Sequence, residues 1–216
     1  MRVGVLGTGS VGQALGNALL RTGHEVCMGS RTADNPNARE WASDAGDGAS
    51  HGTFENAAAF GEALFNCTSG NASLDVLNAA GAANLDGKVL VDVSNSLDFS
   101  GGFPPKLGVC NDDSIGEQLQ RAFPRARVVK SLNTVNAAVM SDPAQLPGRH
   151  DMFVCGNDAA AKDVVRGLLT SFGWKSDDIH DLGGIEASRA VEMYLPLWLR
   201  LIGVVGNAKF NIHLVR

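Results

Sequence analysis

Little in this chain would tie it to a metal, a membrane or a nucleic acid. Its 216 residues hold four cysteines, Cys27, Cys67, Cys110 and Cys155, scattered with no CxxC pair and no clustered histidine. Neither a disulfide framework nor a zinc site is therefore expected. Three of the four lie in apolar, strand-like runs, where cysteine behaves as a small buried hydrophobe. Lysine and arginine form no cluster and the net charge is −5, which argues against nucleic acid or an acidic membrane surface as partner. The most apolar stretch, Met193 to Val205, contains Pro196 and Arg200 and is too short to span a bilayer. The first residues enter a strand with no charged-then-apolar leader, so no signal peptide is expected and the predicted location is cytoplasmic. No Ser-His-Asp or Cys-His arrangement can be placed at one site. His150 and His180 stand isolated and read as surface or structural residues, so no catalytic acid, base or nucleophile is nominated.

What is present is concentrated in the first thirty-two residues. Arg2 to Leu6 is a short apolar, β-branched run, long enough for one buried strand. Val11, Ala14, Leu15, Ala18 and Leu19 fall at i, i+3, i+4, i+7 and i+8, one face of an α-helix. Gly23 sits where a helix-ending glycine belongs, and His24 to Met28 reads as a second strand. Between first strand and helix stands Gly7-Thr8-Gly9-Ser10-Val11-Gly12. In a βαβ unit Gly7 makes the tight turn, Gly9 lets backbone approach a pyrophosphate, and Gly12 brings helix and strand together. The free N–H groups at the helix start then receive the phosphates.

The end of the second strand selects the dinucleotide. An NAD-specific unit places an acid there, roughly 20 residues beyond the glycines, to accept from the ribose 2′-OH. This chain has Gly29-Ser30-Arg31-Thr32 instead. A carboxylate would repel a 2′-phosphate, whereas a hydroxyl donor beside a guanidinium would bind one. NADP(H) is the cofactor expected, held in part by Ser30 and Arg31.

Beyond Thr32 the spacing predicts a helix over 37–45, a short strand over 49–53, a helix over 56–60 and a strand over 63–67. A helix over 72–83 and a strand over 88–93 follow. Leu97 to Gly108 reads as a long connection crossing the surface between the two halves of the sheet. A helix over 114–123, a strand over 126–132, a loop marked by Pro143 and Pro147, a strand over 151–155, a helix over 158–172 and a strand over 177–181 complete the pattern. A final helix from Glu186 is broken or kinked at Pro196. This alternation implies an α/β, Rossmann-type doubly wound, mainly parallel sheet with a small C-terminal helical extension. Ligands of such sheets sit at the carboxyl ends of the strands. That rule makes Thr68, Ser69, Gly70, Ser94 and Asn95 candidate cleft residues, although Ser/Asn-rich strand ends equally form turns and caps. The apolar tail (Met193, Tyr194, Leu195, Leu197, Trp198, Leu199, Leu201, Ile202, Val204, Val205) packs on the sheet or on a second copy of the chain, or walls the nicotinamide end of the cleft.

GVLGTGSVGQAL, the GSRT after the second strand, VVKSLNTVNA, FVCGNDAAAK and DLGGIEASR together resemble the coenzyme F420-dependent NADP oxidoreductases. More distantly the chain resembles the cytosolic domain of the STEAP metalloreductases. The likeness runs over nearly the whole chain and in order. It implies an NADP-binding Rossmann domain over 1–182 and a helical segment over 183–216 that completes the substrate cleft. It also implies that Thr8, Ser10, Val11, Ser30 and Arg31 hold NADP, and that the Asn133-Thr134 turn and the final helix border the second substrate. Its archaeal members carry a histidine at the position of Asn133, which touches the deazaflavin. The STEAP domains, like this chain, have asparagine there.

Three functions follow as expectations. The first is hydride transfer between NADPH and a flavin-like acceptor such as F420, which needs two rings held at about 3–3.5 Å with water excluded and no catalytic dyad. FMN or FAD could replace F420 as the flavin. The second is an NADPH-binding sensor or electron-transfer module without turnover. The third is reduction of a small carbonyl or imine, whose enzymes need a long helical domain after the Rossmann unit. The partner expected is a small-molecule hydride acceptor, and the expected assembly a homodimer.

Overall fold

A computed structural model describes residues 1–215. Its first half holds β1 (Arg2–Leu6), α1 (Ser10–Arg21), β2 (Glu25–Ser30), α2 (Pro36–Ala45), β3 (Ala49–Thr53), α3 (Phe54–Phe60) and β4 (Ala63–Asn66). Next come α4 (Gly70–Ala80), α5 (Ala82–Leu85), β5 (Val89–Asp92), and a hairpin of β6 (Leu97–Asp98) and β7 (Lys106–Leu107). The second half adds α6 (Ile115–Ala122), β8 (Arg127–Ser131), α7 (Ala137–Ser141), β9 (Met152–Cys155), α8 (Ala159–Phe172) and β10 (Ile179–Asp181). Two helices end it, α9 (Ser188–Met193) and α10 (Leu195–Val205).

The main sheet runs β10-β9-β8-β5-β4-β1-β2-β3. Every pair is parallel except β8 with β9, which is antiparallel. The chain builds outward from β1 to β3, then crosses by α3 to lay β4 on the other side of β1. That reversal opens a crevice at the carboxyl ends of β1 and β4.

Two-residue periodicity sorts the core onto both faces of the sheet. Val3, Val5, Val26, Met28, Phe65, Val89 and Val91 pack on one side with Leu15, Leu19, Trp41 and Phe172. Leu6, Leu64, Leu90 and Val128 pack on the other with Phe54, Leu77 and Leu119. Strands covered on both faces must be apolar almost throughout, which is why they read as runs. Two charged residues wholly buried inside them, Asp92 and Lys130, stand out against that pattern.

Several expectations need correction. β2 extends to Ser30, two residues beyond the Met28 limit, so Ser30 belongs to the strand and is buried. The 97–108 segment does not cross between the sheet's halves. It leaves β5, folds back as the β6–β7 hairpin, and leads through α6 to β8, the strand beside β5. The expected loop around Pro143 is preceded by α7, whose five residues are too few for a periodic signal. The final helix divides at Tyr194, with Pro196 in the first turn of α10, where the missing N–H costs nothing. His180 is not isolated: with His213 it flanks the buried Asp151, at 3.2 and 3.0 Å. Asp151 also ties down the chain's end, because its own N–H donates to Ile212 O at 2.9 Å. No helix among the described residues is long and apolar enough to cross a membrane.

Candidate functional site

The crevice at the strand ends divides into two compartments that share the strip Cys67, Thr68 and Ser69. The first, about 700 Å³, is built on the β1–α1 turn. Gly7 adopts φ +120°, which an L side chain rarely takes. A Cβ on Gly12 would stand 2.0 Å from Gly7 O, so α1 can lie this close only over a glycine. Nothing lies within 4 Å of where a Cβ on Gly9 would be. The turn is thus tight beneath and open above. No side chain caps α1 and no acid stands in its first turn. Its first N–H groups precede the first intrahelical donor, Gln13 N to Gly9 O, and face outward for an anion.

Gly7, Thr8, Gly9, Ser30, Arg31, Thr32, Thr68 and Ser69 meet in this first compartment. Arg31 is exposed and is the only charged residue lining it among the described residues. Ser30 is placed there too, but its hydroxyl donates to Thr32 O at 2.5 Å. It shapes the turn that presents Arg31 and is not the free donor the sequence suggested. Phe54, Ala72 and Val76 supply an apolar wall, and Asn35 caps α2 at the rim. Sequence reasoning missed these four, because each is embedded in a helix start or helix face with no ligand-like spacing.

Ser10, Val11, Thr68, Ser69, Asn95 and Asn133 line the second compartment, of about 430 Å³. Leu195 and Trp198 of α10 close its outer side with Leu97 and Phe99 of the hairpin. Two members of the apolar tail therefore wall the cleft, and Leu195 and Leu199 are buried. Others face outward: Leu197 is 56 % and Val204 81 % exposed. Three expected site residues line neither compartment, and the first, Gly70, opens α4 with its N–H donating to Asn95 O. Gly12 lies under the turn, and Thr134 is buried behind Asn133 with its hydroxyl unpartnered. Among the described residues, no Asp, Glu, His, Lys or Arg lines the second compartment. Its one titratable group, the Cys67 thiol, is pushed far up by burial and by the nearby Asp92 carboxylate, so it stays neutral.

Behind the shared strip runs a buried polar chain that no sequence motif announced. Thr68 Oγ1 donates to Asn66 Oδ1 at 2.6 Å, and Asn66 Nδ2 donates to Asp92 Oδ1 at 2.9 Å. Lys130 Nζ, wholly enclosed, lies 2.8 Å from Asp92 Oδ2 and 2.8 Å from Glu192 Oε1. It also donates to Ser94 O at 2.5 Å. Burial opposes the ammonium charge, but the two carboxylates outweigh it and the pKa rises. Glu192 in turn accepts from Ile115 N at 2.9 Å and Gly116 N at 3.2 Å, at the start of α6. The chain thus fastens α9, and with it the α10 wall, to the strand ends. Arg189 and Glu117 add a second tie between α9 and α6.

Comparison with known proteins agrees with this geometry. The family described as NADP oxidoreductase, coenzyme F420-dependent, matches residues 2–96. The F420-dependent NADP reductase of Methanocaldococcus jannaschii is 34% identical over 130 residues, 59% of this chain and 54% of that protein. Metalloreductase STEAP3 of Rattus norvegicus is 29% identical over 203 residues, 91% of this chain and 38% of that protein. The chain thus matches about half, or less, of the length of these two relatives. A solved structure from Arthrobacter sp. FB24, presented as a candidate F420-dependent NADP reductase, superposes with a TM-score of 0.95. It shares 47% identity, with 100% of both chains covered.

Proposed function

The chain belongs to the coenzyme F420-dependent NADP oxidoreductase family, and on that premise we propose that it passes hydride between NADPH and a flavin-like ring such as that of coenzyme F420. The observation that carries this reading is the pairing of the two compartments. One holds a single cation and no acid, and the other is uncharged with an apolar outer wall. NADPH, when bound, supplies the hydride. The residues that would hold it are the α1 N-terminus with Gly7, Thr8, Gly9, Ser10 and Val11, and Arg31 for the 2′-phosphate. Thr68, Ser69 and Asn95 would line its path toward the second compartment. Asn133, Leu195 and Trp198 would border the acceptor and keep water out, so the segment 183–216 completes the cleft on this reading. Hydride passing between stacked rings needs no protein proton donor at the reacting carbons, and the lining offers none. A flavin-like ring that accepts hydride becomes a delocalised anion, and its ring nitrogen would take the balancing proton from solvent. A carbonyl would become a localised alkoxide and would find no acid in the lining.

The test uses the purified protein with 4-deuterated NADPH and F420, FMN or FAD in turn, following the label. Transfer to F420 is the expected result, and transfer to no flavin-like acceptor would refute the reading. Arg31→Glu checks the phosphate site separately. Charge-assisted hydrogen bonds contribute about 1.5–3 kcal/mol each, so NADPH should bind roughly 10–150-fold more weakly while NADH is little changed. Equal loss of both would place the phosphate elsewhere. The exposed outer face of α10 fits pairing with a second copy, and light scattering at micromolar concentration should find a dimer.

A further inference from the structure

Asn95 and Asn133 are joined in a way that leaves their amides half spent. Asn133 Nδ2 donates to Asn95 Oδ1 at 3.0 Å and to Val191 O at 3.0 Å, which uses both hydrogens. Asn95 Nδ2 donates to the backbone oxygen of Asn133 at 3.0 Å, which leaves it one hydrogen. Because each of these partners is an oxygen, the orientation of both amides is fixed by their neighbours. Asn133 Oδ1 accepts no hydrogen bond among the described residues, and it is not one of the fully enclosed unpartnered atoms. It therefore keeps some exposure although Asn133 is largely buried, and both residues line the second compartment. The pair offers that compartment one donor, Asn95 Nδ2, beside one acceptor, Asn133 Oδ1.

The pair is also held rigidly. Gly70 N donates to Asn95 O at 3.0 Å, and a Cβ on Gly70 would stand 2.7 Å from that oxygen. Lys130 grips Ser94 O, one residue before Asn95. Leu132, one residue before Asn133, is buried in the left-handed region at φ +66°, a conformation rare for a branched side chain. Such a strained residue persists only where its surroundings enforce it.

We infer that this asparagine pair reads a primary carboxamide, that of the nicotinamide. The free Asn95 N–H meets the carboxamide oxygen, and Asn133 Oδ1 accepts from the amino group. The inference rests on the reading that NADP(H) fills the cleft, and it gives Asn133, at the border of the acceptor, a contact to the cofactor's carboxamide as well. A donor beside an acceptor also suits the pyrimidinedione edge of a flavin-like ring. Position favours the nicotinamide. Asn95 follows β5, next to the Cys67–Ser69 strip that a dinucleotide must follow from the first compartment, whereas Trp198 and Phe99 face that strip from the outer side.

The decisive probe is the 3-acetylpyridine analogue of NADP⁺, which keeps the carbonyl and replaces the amino group by methyl. Calorimetry on the wild-type protein should find NADP⁺ bound roughly tenfold more tightly than the analogue, the typical effect of leaving one acceptor unpaired. In Asn133→Ala that preference should fall to about one, while the preference for NADP⁺ over NAD⁺, set by Arg31, persists. Equal affinities in the wild type would overturn the inference even if the variant failed to fold. So would an Asn133→Ala protein that keeps the preference and instead shows a raised KM for F420, because the pair would then read the acceptor's ring edge. Absence of NADP⁺ binding by the wild type would overturn the parent reading, a result distinct from NADP⁺ binding without discrimination.

Discussion

Replacing Lys130 by methionine tests the buried ion cluster directly. The side chain is wholly enclosed and lies 2.8 Å from each of two carboxylates, on Asp92 and Glu192. Methionine fills a similar volume and removes the charge. Asp92 would keep its bonds from Asn66 Nδ2 and Ser94 N, and Glu192 those from Ile115 N and Gly116 N. Two buried anions within about twice 2.8 Å of each other would then face one another without a cation. Breaking a buried pair on one side costs about 3–5 kcal/mol, a large part of the roughly 5–15 kcal/mol that holds a domain folded. For a domain of this size each kcal/mol moves Tm by about 2–4 °C, so a fall of roughly 6–20 °C is expected. Urea denaturation at pH 7 is the cleaner assay, with the midpoint falling at unchanged slope. Adding Asp92→Asn and Glu192→Gln should recover most of the loss, since an uncharged set no longer carries the desolvation penalty. A Lys130→Met protein within about 1 kcal/mol of wild type at pH 7 would refute the claim that opposed charge holds this region together.

Two glycines and two carboxylates give sharper contrasts. Gly12→Ala drives a Cβ to 2.0 Å from Gly7 O, so the helix must shift. Overpacking of this kind costs about 1–3 kcal/mol, and NADP⁺ binding should be lost with it. Gly9→Ala meets nothing within 4 Å. It should leave the melting temperature unchanged while weakening NADP⁺ in calorimetry, and equal stability loss in both variants would contradict the proposed roles. Asp113 is held well below the usual carboxylate range, at about 2 against 3.8, chiefly by its bonds from Arg121. Glu117 is lowered by its bonds from Arg189. Depressed carboxylates stabilise the fold above their unfolded pKa and lose that contribution as pH falls through the folded value. Urea midpoints should therefore decline from about pH 4 toward pH 2, and Arg121→Ala should flatten the lower part of that decline.

The frame of the fold was legible because the forces that build it are local and repetitive. Val3 and Val5 alternate with Gly4 and Leu6, and Leu15, Ala18 and Leu19 recur at helical spacing, so each element announces the face it buries. The glycines of the first turn were legible for the same reason, each being demanded by backbone geometry within six residues. Elements shorter than one period were not. α7 is one turn capped by Asn136, whose Nδ2 donates to Ala208 O far along the chain, and the β6–β7 hairpin is closed onto Ser96 by Gly108 N and Val109 N. Within the site, Arg31 was readable from charge and position. Phe54, Ala72 and Val76 were not, because an apolar residue that faces a ligand and one that faces the core obey the same pattern.

The buried cluster had one overlooked signal. Asp92 and Lys130 each follow a buried apolar run, Val89 to Val91 and Val128 to Val129, in strands covered on both faces, and charges there must be paired. The adjacency of β5 and β8 supplies the first partner. The second, Glu192, comes from a helix 62 residues further on, and no local spacing points to it. The arrangement has a consequence for the cleft. One cation between two anions leaves an excess negative charge, which Glu192 places against the N–H groups opening α6, where a helix N-terminus favours it. The charge is thereby absorbed behind the wall. The surface that the cofactor's ring would meet carries amides, hydroxyls, the neutral Cys67 thiol and apolar groups, on strand ends that the cluster holds in place. A site that only orients two rings needs that rigidity more than it needs a reactive group.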